Sequence, residues 1–205
     1  MDLIRNNPFR VLGLPATASS RDIAKRISDL ETFAELGKVK KFPTDFPNLG
    51  PLTRTYETIK EAAQKIEQSE GKLFHSFFWF RSSDSVDELA MESLGAGNAE
   101  EALNIWEKQL GKKGPKKYTW RLNSAVLRLK RSHGLDELDD SEFAFDKDEF
   151  DSALEELGFV IDDELDSSIS DVLNGAEAGI DRETLWKKIV DELLRVVKTL
   201  PNSPY

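Results

Sequence analysis

Asn6-Asn7-Pro8-Phe9-Arg10-Val11-Leu12-Gly13-Leu14-Pro15 decides how the chain begins to fold. Asn7 has the side-chain oxygen of a good helix N-cap, and Pro8 suits the first helical position, where a missing N–H costs nothing. Gly13 and Pro15 end this helix within about two turns. A second helix starts at Ser19-Ser20-Arg21-Asp22, which has capping-box spacing with Asp in place of the usual Glu. Ile23, Ile27, Leu30 and Phe33/Ala34 then recur on one helical face, and Gly37 marks the stop. Pro43, Pro47, Gly50 and Pro51 make 38–52 a loop. Thr53 is the expected cap of a third helix carrying Ile59, Ala62, Ala63 and Ile66. After an interruption at Gly71, Leu73, Phe74, Phe77, Phe78 and Phe80 predict a strongly apolar fourth helix, read as core joining two units.

The same punctuation continues. Arg81-Ser82-Ser83-Asp84 is a polar break. Val86, Leu89, Ala90 and Leu94 predict one helix face, and Ala102, Leu103, Ile105, Trp106 and Leu110 the next, across a Gly95-Ala96-Gly97-Asn98 turn. The loop 111–117 holds two glycines and four lysines but lacks the P-loop pattern; it reads as a solvated turn, or as a partner for acidic residues elsewhere in the chain. Leu122, Ala125, Val126 and Leu129 mark a helix from Tyr118. Phe150, Leu154 and Leu157 fit another, and Ile161, Leu165, Ile169 and Val172 a further one broken at Ser167-Ser168. Asp181 caps a last helix bearing Leu185, Ile189, Leu193 and Val197, closed by Pro201. No strand alternation occurs, so the expected fold is all-α.

Composition narrows the chemistry. The 205 residues suit one ordinary domain or two small ones, and 39% hydrophobic content is enough for a core. Cysteine is absent, which excludes disulfides, Cys-based zinc sites and a Cys nucleophile. Two histidines, His75 and His133, exclude a multi-His metal centre. The formal charge is -10, unfavourable for a nucleic-acid partner. That charge is regional: residues 135–172 hold 16 acids and one base, whereas 1–134 hold 17 acids and 22 bases. Within the acidic stretch, Asp146-Lys147-Asp148-Glu149-Phe150-Asp151 fails as an EF-hand, because Asp151 and Leu157 occupy the Gly and Glu positions. The longest apolar run, Leu73 to Phe80, is far shorter than the roughly 20 residues that span a bilayer. With no apolar leader in the first residues, the expected location is the cytoplasm, with no membrane partner.

The opening segment resembles the J domain of DnaJ-type co-chaperones over roughly residues 5–80. The resemblance rests on Asn7 to Leu14, on Ala18-Ser19-Ser20-Arg21-Asp22-Ile23 and on Lys25-Arg26. It implies a helical hairpin, and it places a partner-docking patch on Arg21, Lys25 and Arg26. The family's His-Pro-Asp loop, which stimulates the ATPase of a DnaK-type chaperone, is here Lys41-Phe42-Pro43-Thr44-Asp45-Phe46-Pro47, with Pro43, Thr44 and Asp45 in the corresponding place and no histidine. Gly97-Asn98-Ala99-Glu100-Glu101-Ala102-Leu103-Asn104-Ile105-Trp106-Glu107-Lys108 is similar to a tetratricopeptide repeat, of which about one and a half units are visible.

The expected architecture is therefore an all-α chain: a J-domain-like helical hairpin over 1–82, packed on a tetratricopeptide-like helix-turn-helix array over 83–134, with further acidic helices over 135–205. The expected function is a non-enzymatic adaptor that binds protein partners, with no cofactor, metal or catalytic residue. The alternatives are an active co-chaperone of a DnaK-type chaperone, and an enzyme of unknown type.

Overall fold

The computed structural model describes residues 2–38, 40–133 and 145–200, and these are helical without a strand among them. The acidic positions 135–144 and the helix-closing Pro201 lie outside the described residues. In order the helices are α1 (Asp2–Arg5), α2 (Pro8–Leu12), α3 (Ser20–Glu35), α4 (Tyr56–Lys65), α5 (Ser69–Ser76), α6 (Ser85–Gly95), α7 (Ala99–Leu110), α8 (Tyr118–Ser132), α9 (Lys147–Asp163), α10 (Leu165–Leu173) and α11 (Arg182–Val197), with a 3-10 turn at Pro47–Leu49. No described helix is long and apolar enough to cross a membrane.

The expected caps at the first two helices are present. Asn7 Oδ1 accepts from Phe9 N at 3.0 Å. Ser19 and Asp22 form the capping box that starts α3. Asn7 does more than cap: its Nδ2 reaches Leu3 O at 3.0 Å, His75 O at 3.0 Å and Phe78 O at 3.1 Å, tying α2 to the end of α5. The third helix begins at Thr55 rather than Thr53, with Thr55 and Thr58 in a reciprocal capping box. The delay has a tertiary cause, because Arg54 is drawn into a buried hydrogen-bond network before the helix can start. Nor is Gly71 an interruption. It lies inside α5, where a Cβ would sit 2.3 Å from Lys65 O, so the tight α4–α5 turn requires its bare backbone. Helix α5 ends at Ser76, and Phe77 to Phe80 leave it as a buried non-helical run.

Helix α8 lies at the centre. It is buried on nearly every side, and its most extensive packing is against α9. Helices α6 and α7 cover another side of the same core, α2, α3 and α4 pack on one another, and α10 reaches back to α5. One continuous apolar cluster runs from Leu3 to Val197.

Two expectations inside this core are corrected. Leu89 was expected on the buried face of α6 but is 54% exposed, because Asp87 takes an inward position with Ala90 and Leu94. The break in the acidic helices falls at Glu164, not at Ser167-Ser168. Asp162-Asp163-Glu164 puts three acids at the C-terminal end of α9, where the helix dipole disfavours them, and at the start of α10, where it favours them. Ser168 stays helical, with its hydroxyl accepting from buried Arg81 at 2.9 Å.

Among the described residues the acidic region is matched by α8 and not by the 111–117 loop. Arg121 pairs with Glu156 at 2.6 Å, Arg131 with Glu149 at 3.2 Å, and Arg128 with Glu107 and Glu149. In the loop, Lys116 donates to backbone carbonyls of Gln109 and Lys112.

Trp106 is fully buried, donates to Asp87 Oδ1 at 2.9 Å and stacks on Phe80 with centroids 6.1 Å apart. Trp106→Ala is expected to destabilise the fold by about 3–5 kcal/mol, read from urea unfolding. Burial holds the imidazoles of His75 and His133 neutral, with pKa values lowered from 6.5 to about 4; Lys65 and Lys188 add to the effect at His75. The unfolded chain takes up these protons first. Stability is therefore expected to fall as pH drops from about 6.5 towards 4, and His75→Gln with His133→Gln should flatten that part of the urea-midpoint profile.

Candidate functional site

The segment between α3 and α4 is held from within. Asp45 Oδ2 accepts from Phe42 N at 2.9 Å and Arg54 Nη1 at 2.9 Å, and Oδ1 accepts from Arg54 Nη2 at 2.5 Å. The same guanidinium donates to Val11 O at 2.7 Å, Arg10 O at 3.0 Å and Lys40 O at 3.1 Å. Arg10, itself buried, donates to Arg5 O, Leu49 O and Gly50 O at 2.7–3.2 Å. Burial pushes the Asp45 carboxyl up, but the hydrogen bonds from Arg54 and Phe42 and the positive field of Arg54 and Arg10 outweigh it, and its pKa is lowered. Burial pulls Arg10 down to about 10, which leaves it charged at neutral pH. Phe42 fills the space over Gly13: a Cβ there would lie 2.2 Å from the ring, and Gly13 has φ +62°.

The expected docking patch on α3 divides along this line. Arg21 and Lys25 are exposed. Arg26 turns inward, donates to Leu12 O at 3.1 Å and Gly13 O at 2.9 Å, and lies 4.4 Å from the centroid of Phe42. Lys25 and Arg26 share a shallow cavity with Asp22 and Asp29, which dilute its positive field.

Pro43 and Thr44 go the other way. They line a groove of about 650 Å³ between this loop and α6. Phe46, Trp79 and Phe80, each 5% exposed or less, form its floor, and Pro15 and Met91 contribute apolar walls. Phe46 meets Phe80 edge-on at 5.5 Å, and Phe80 stacks on Trp106, so the floor is braced by the α6–α7 core. Glu88 and Glu92, both exposed, form an acidic rim. The groove thus unites two of the residues singled out from the sequence, Pro43 and Thr44, and separates them from Asp45, Arg21, Lys25 and Arg26.

Sequence reading missed Glu88, Met91 and Glu92. With Leu89 assigned to the buried face of α6, their side of the helix looked like an ordinary solvated surface. The signal was Asp87, three residues after the N-cap Asp84, but an acid there also suits a helix's first turn. Among the described residues no group of three or more His, Asp or Glu side chains is placed to hold a metal ion. Asp146, at the head of the failed EF-hand pattern, is the N-cap of α9 and accepts from Glu149 N at 3.0 Å.

Removing Asp45 strands a nearly buried guanidinium. Asp45→Ala is expected to cost about 3 kcal/mol in chemical denaturation, whereas Arg21→Ala, on the exposed face, should stay within about 0.5 kcal/mol of the unaltered chain. No protein-family model, curated protein or solved structure matches this chain.

Proposed function

We propose that the chain is a non-enzymatic adaptor that binds a protein partner in the groove between Pro43–Phe46 and α6. The observation that carries this reading is the pairing of an apolar groove with an acidic rim. Pro15, Pro43 and Met91 offer apolar area over a firm base of buried Phe46, Trp79 and Phe80, and Glu88 and Glu92 set a sign for what approaches. The fitting partner segment carries large apolar side chains flanked by Lys or Arg.

The co-chaperone alternative would draw on Asp45 and on the basic side of α3. Both carboxylate oxygens of Asp45 are taken by Arg54 and Phe42 N, and Arg26 is committed to α2 carbonyls. These contacts support the adaptor over the ATPase stimulator.

The test is selection of random peptides on the immobilised full chain, followed by affinity measurement on variants. Selected peptides should pair Lys or Arg with Leu, Ile or aromatic residues. Their affinity should fall about tenfold or more in Met91→Asp and in the Glu88→Lys, Glu92→Lys double variant, with the helical circular dichroism unchanged. Peptides that bind these variants as tightly as the unaltered chain would refute the assignment. Stimulation of a DnaK-type ATPase by the full chain, lost on Asp45→Ala under conditions where that variant remains folded, would favour the alternative.

A further inference from the structure

Helix α3 ends in a tip that stands in solvent. Leu36, its C-cap, is 63% exposed, the most exposed large apolar side chain among the described residues. Phe33, one turn earlier on the same face, is half-buried. Lysines follow at once: residues 35–41 hold Lys38, Lys40 and Lys41 against the single acid Glu35. Lys38 and Lys41 are exposed, and the Lys40 ammonium lies 5.2 Å from the ring centroid of Phe33 and 5.6 Å from that of Phe42. The tip therefore presents an apolar side chain flanked by cations.

This chemistry is complementary to the groove at α6. The groove offers apolar Pro15, Pro43 and Met91 to Leu36, and its rim of Glu88 and Glu92 is opposite in sign to the lysines. A chain does not place the tip in its own groove. Between the two lies Phe42, whose ring fills the space over Gly13. Arg54 holds Lys40 O on one side of that ring and the Asp45 carboxylate on the other. The segment is pinned at both places, so Leu36 and Pro43 keep fixed and separate positions. They are nonetheless neighbours on one surface, because Lys41 is only two residues from Pro43.

We propose that a second copy of this chain occupies the groove: the Leu36 tip of each copy seats between Pro43 and α6 of the other, with Lys38 and Lys41 against Glu88 and Glu92. The proposal rests on the reading of this groove as a protein-binding site. Because tip and groove lie close together on each copy, one twofold axis satisfies both contacts at once, and the pair closes instead of growing into a filament. Two small contacts bury less than the roughly 1,600 Å² of a standard stable interface, so the pair is weak and exchanges readily. An outside segment of the same chemistry displaces it, and self-pairing keeps the groove covered until such a segment arrives.

The experiment is sedimentation velocity of the full chain from micromolar to millimolar concentration. A monomer–dimer equilibrium should appear at low salt and weaken as salt is added. Lys38→Glu with Lys41→Glu should weaken it about tenfold or more, as should Glu88→Lys with Glu92→Lys. Mixed in equal amounts, these two double variants should pair with each other about as well as the unaltered chain pairs with itself, since reversed tip then meets reversed rim and native tip meets native rim. The proposal is overturned if the mixture shows no such rescue while both variants keep their helical circular dichroism. It is also overturned if the unaltered chain stays monomeric throughout; the groove reading then survives if the selected peptides still bind. A dimer that persists in both double variants overturns it as well, and peptide binding that persists with it removes the groove reading too. Should either double variant fail to fold, Leu36→Asp on the exposed tip decides: an unweakened dimer overturns the proposal.

Discussion

A buried carboxylate governs the middle of this molecule. Asp87 is wholly inaccessible, and its oxygens accept from Ser83 N, Ser83 Oγ, Trp106 Nε1, Thr119 Oγ1 and Asn123 Nδ2 at 2.7–3.1 Å. Burying such a charge is tolerable only where hydrogen bonds replace its hydration, and donors from three elements converge to do so. Asn123 carries the network onward by gripping both the N–H and the carbonyl of Arg81. Arg81 in turn holds Ser76 at the end of α5, Tyr118 at the start of α8 and Ser168 on α10. The relative placement of α5, α6, α7, α8 and α10 follows from one polar chain threaded through an apolar core.

That chain also explains why the partner groove has a firm floor. Because Asp87 faces inward, α6 is rotated so that Glu88, Met91 and Glu92 face the loop at Pro43 and Thr44. Trp106, fixed by its bond to Asp87, supports Phe80 from below. On the far side the Asp45–Arg54–Arg10 network keeps the loop from collapsing onto α6 or swinging away. The two walls are thus set by independent polar networks, and the aromatics between them are held in a defined arrangement before any partner arrives, which lowers the entropic cost of binding.

What the sequence revealed and concealed divides along a physical line. Features that depend on neighbours three or four residues away were legible: the Asn7 and Ser19 caps, the apolar face of α8, and the Leu185–Ile189–Leu193–Val197 stripe of α11 under its Asp181 cap. Features that depend on a distant partner were not. Arg54, Lys72, Arg81 and Asp87 each sit where a charged residue reads as solvated, and each is buried by contacts that local pattern cannot encode. Of the candidate site, the prolines marked 38–52 as a loop, and Pro43 and Thr44 within it were singled out only by the place they hold in the J-domain resemblance. Glu88 and Met91 were hidden because a buried Asp87 inverted the expected face of α6.

The bond from Arg81 to Ser168 spans 87 residues. At the usual rates of synthesis, Ser168 follows Arg81 off the ribosome by roughly 4–17 s. During that interval, while α6 to α9 are being made, the surface of α5 that α10 will cover has no native cover and the guanidinium lacks its Ser168 partner. The N-terminal half of this chain therefore reaches its final packing only when the acidic C-terminal part arrives. The late part of translation is then the step at which a shielding chaperone, or a mistimed contact with another molecule, would have most influence on its fate.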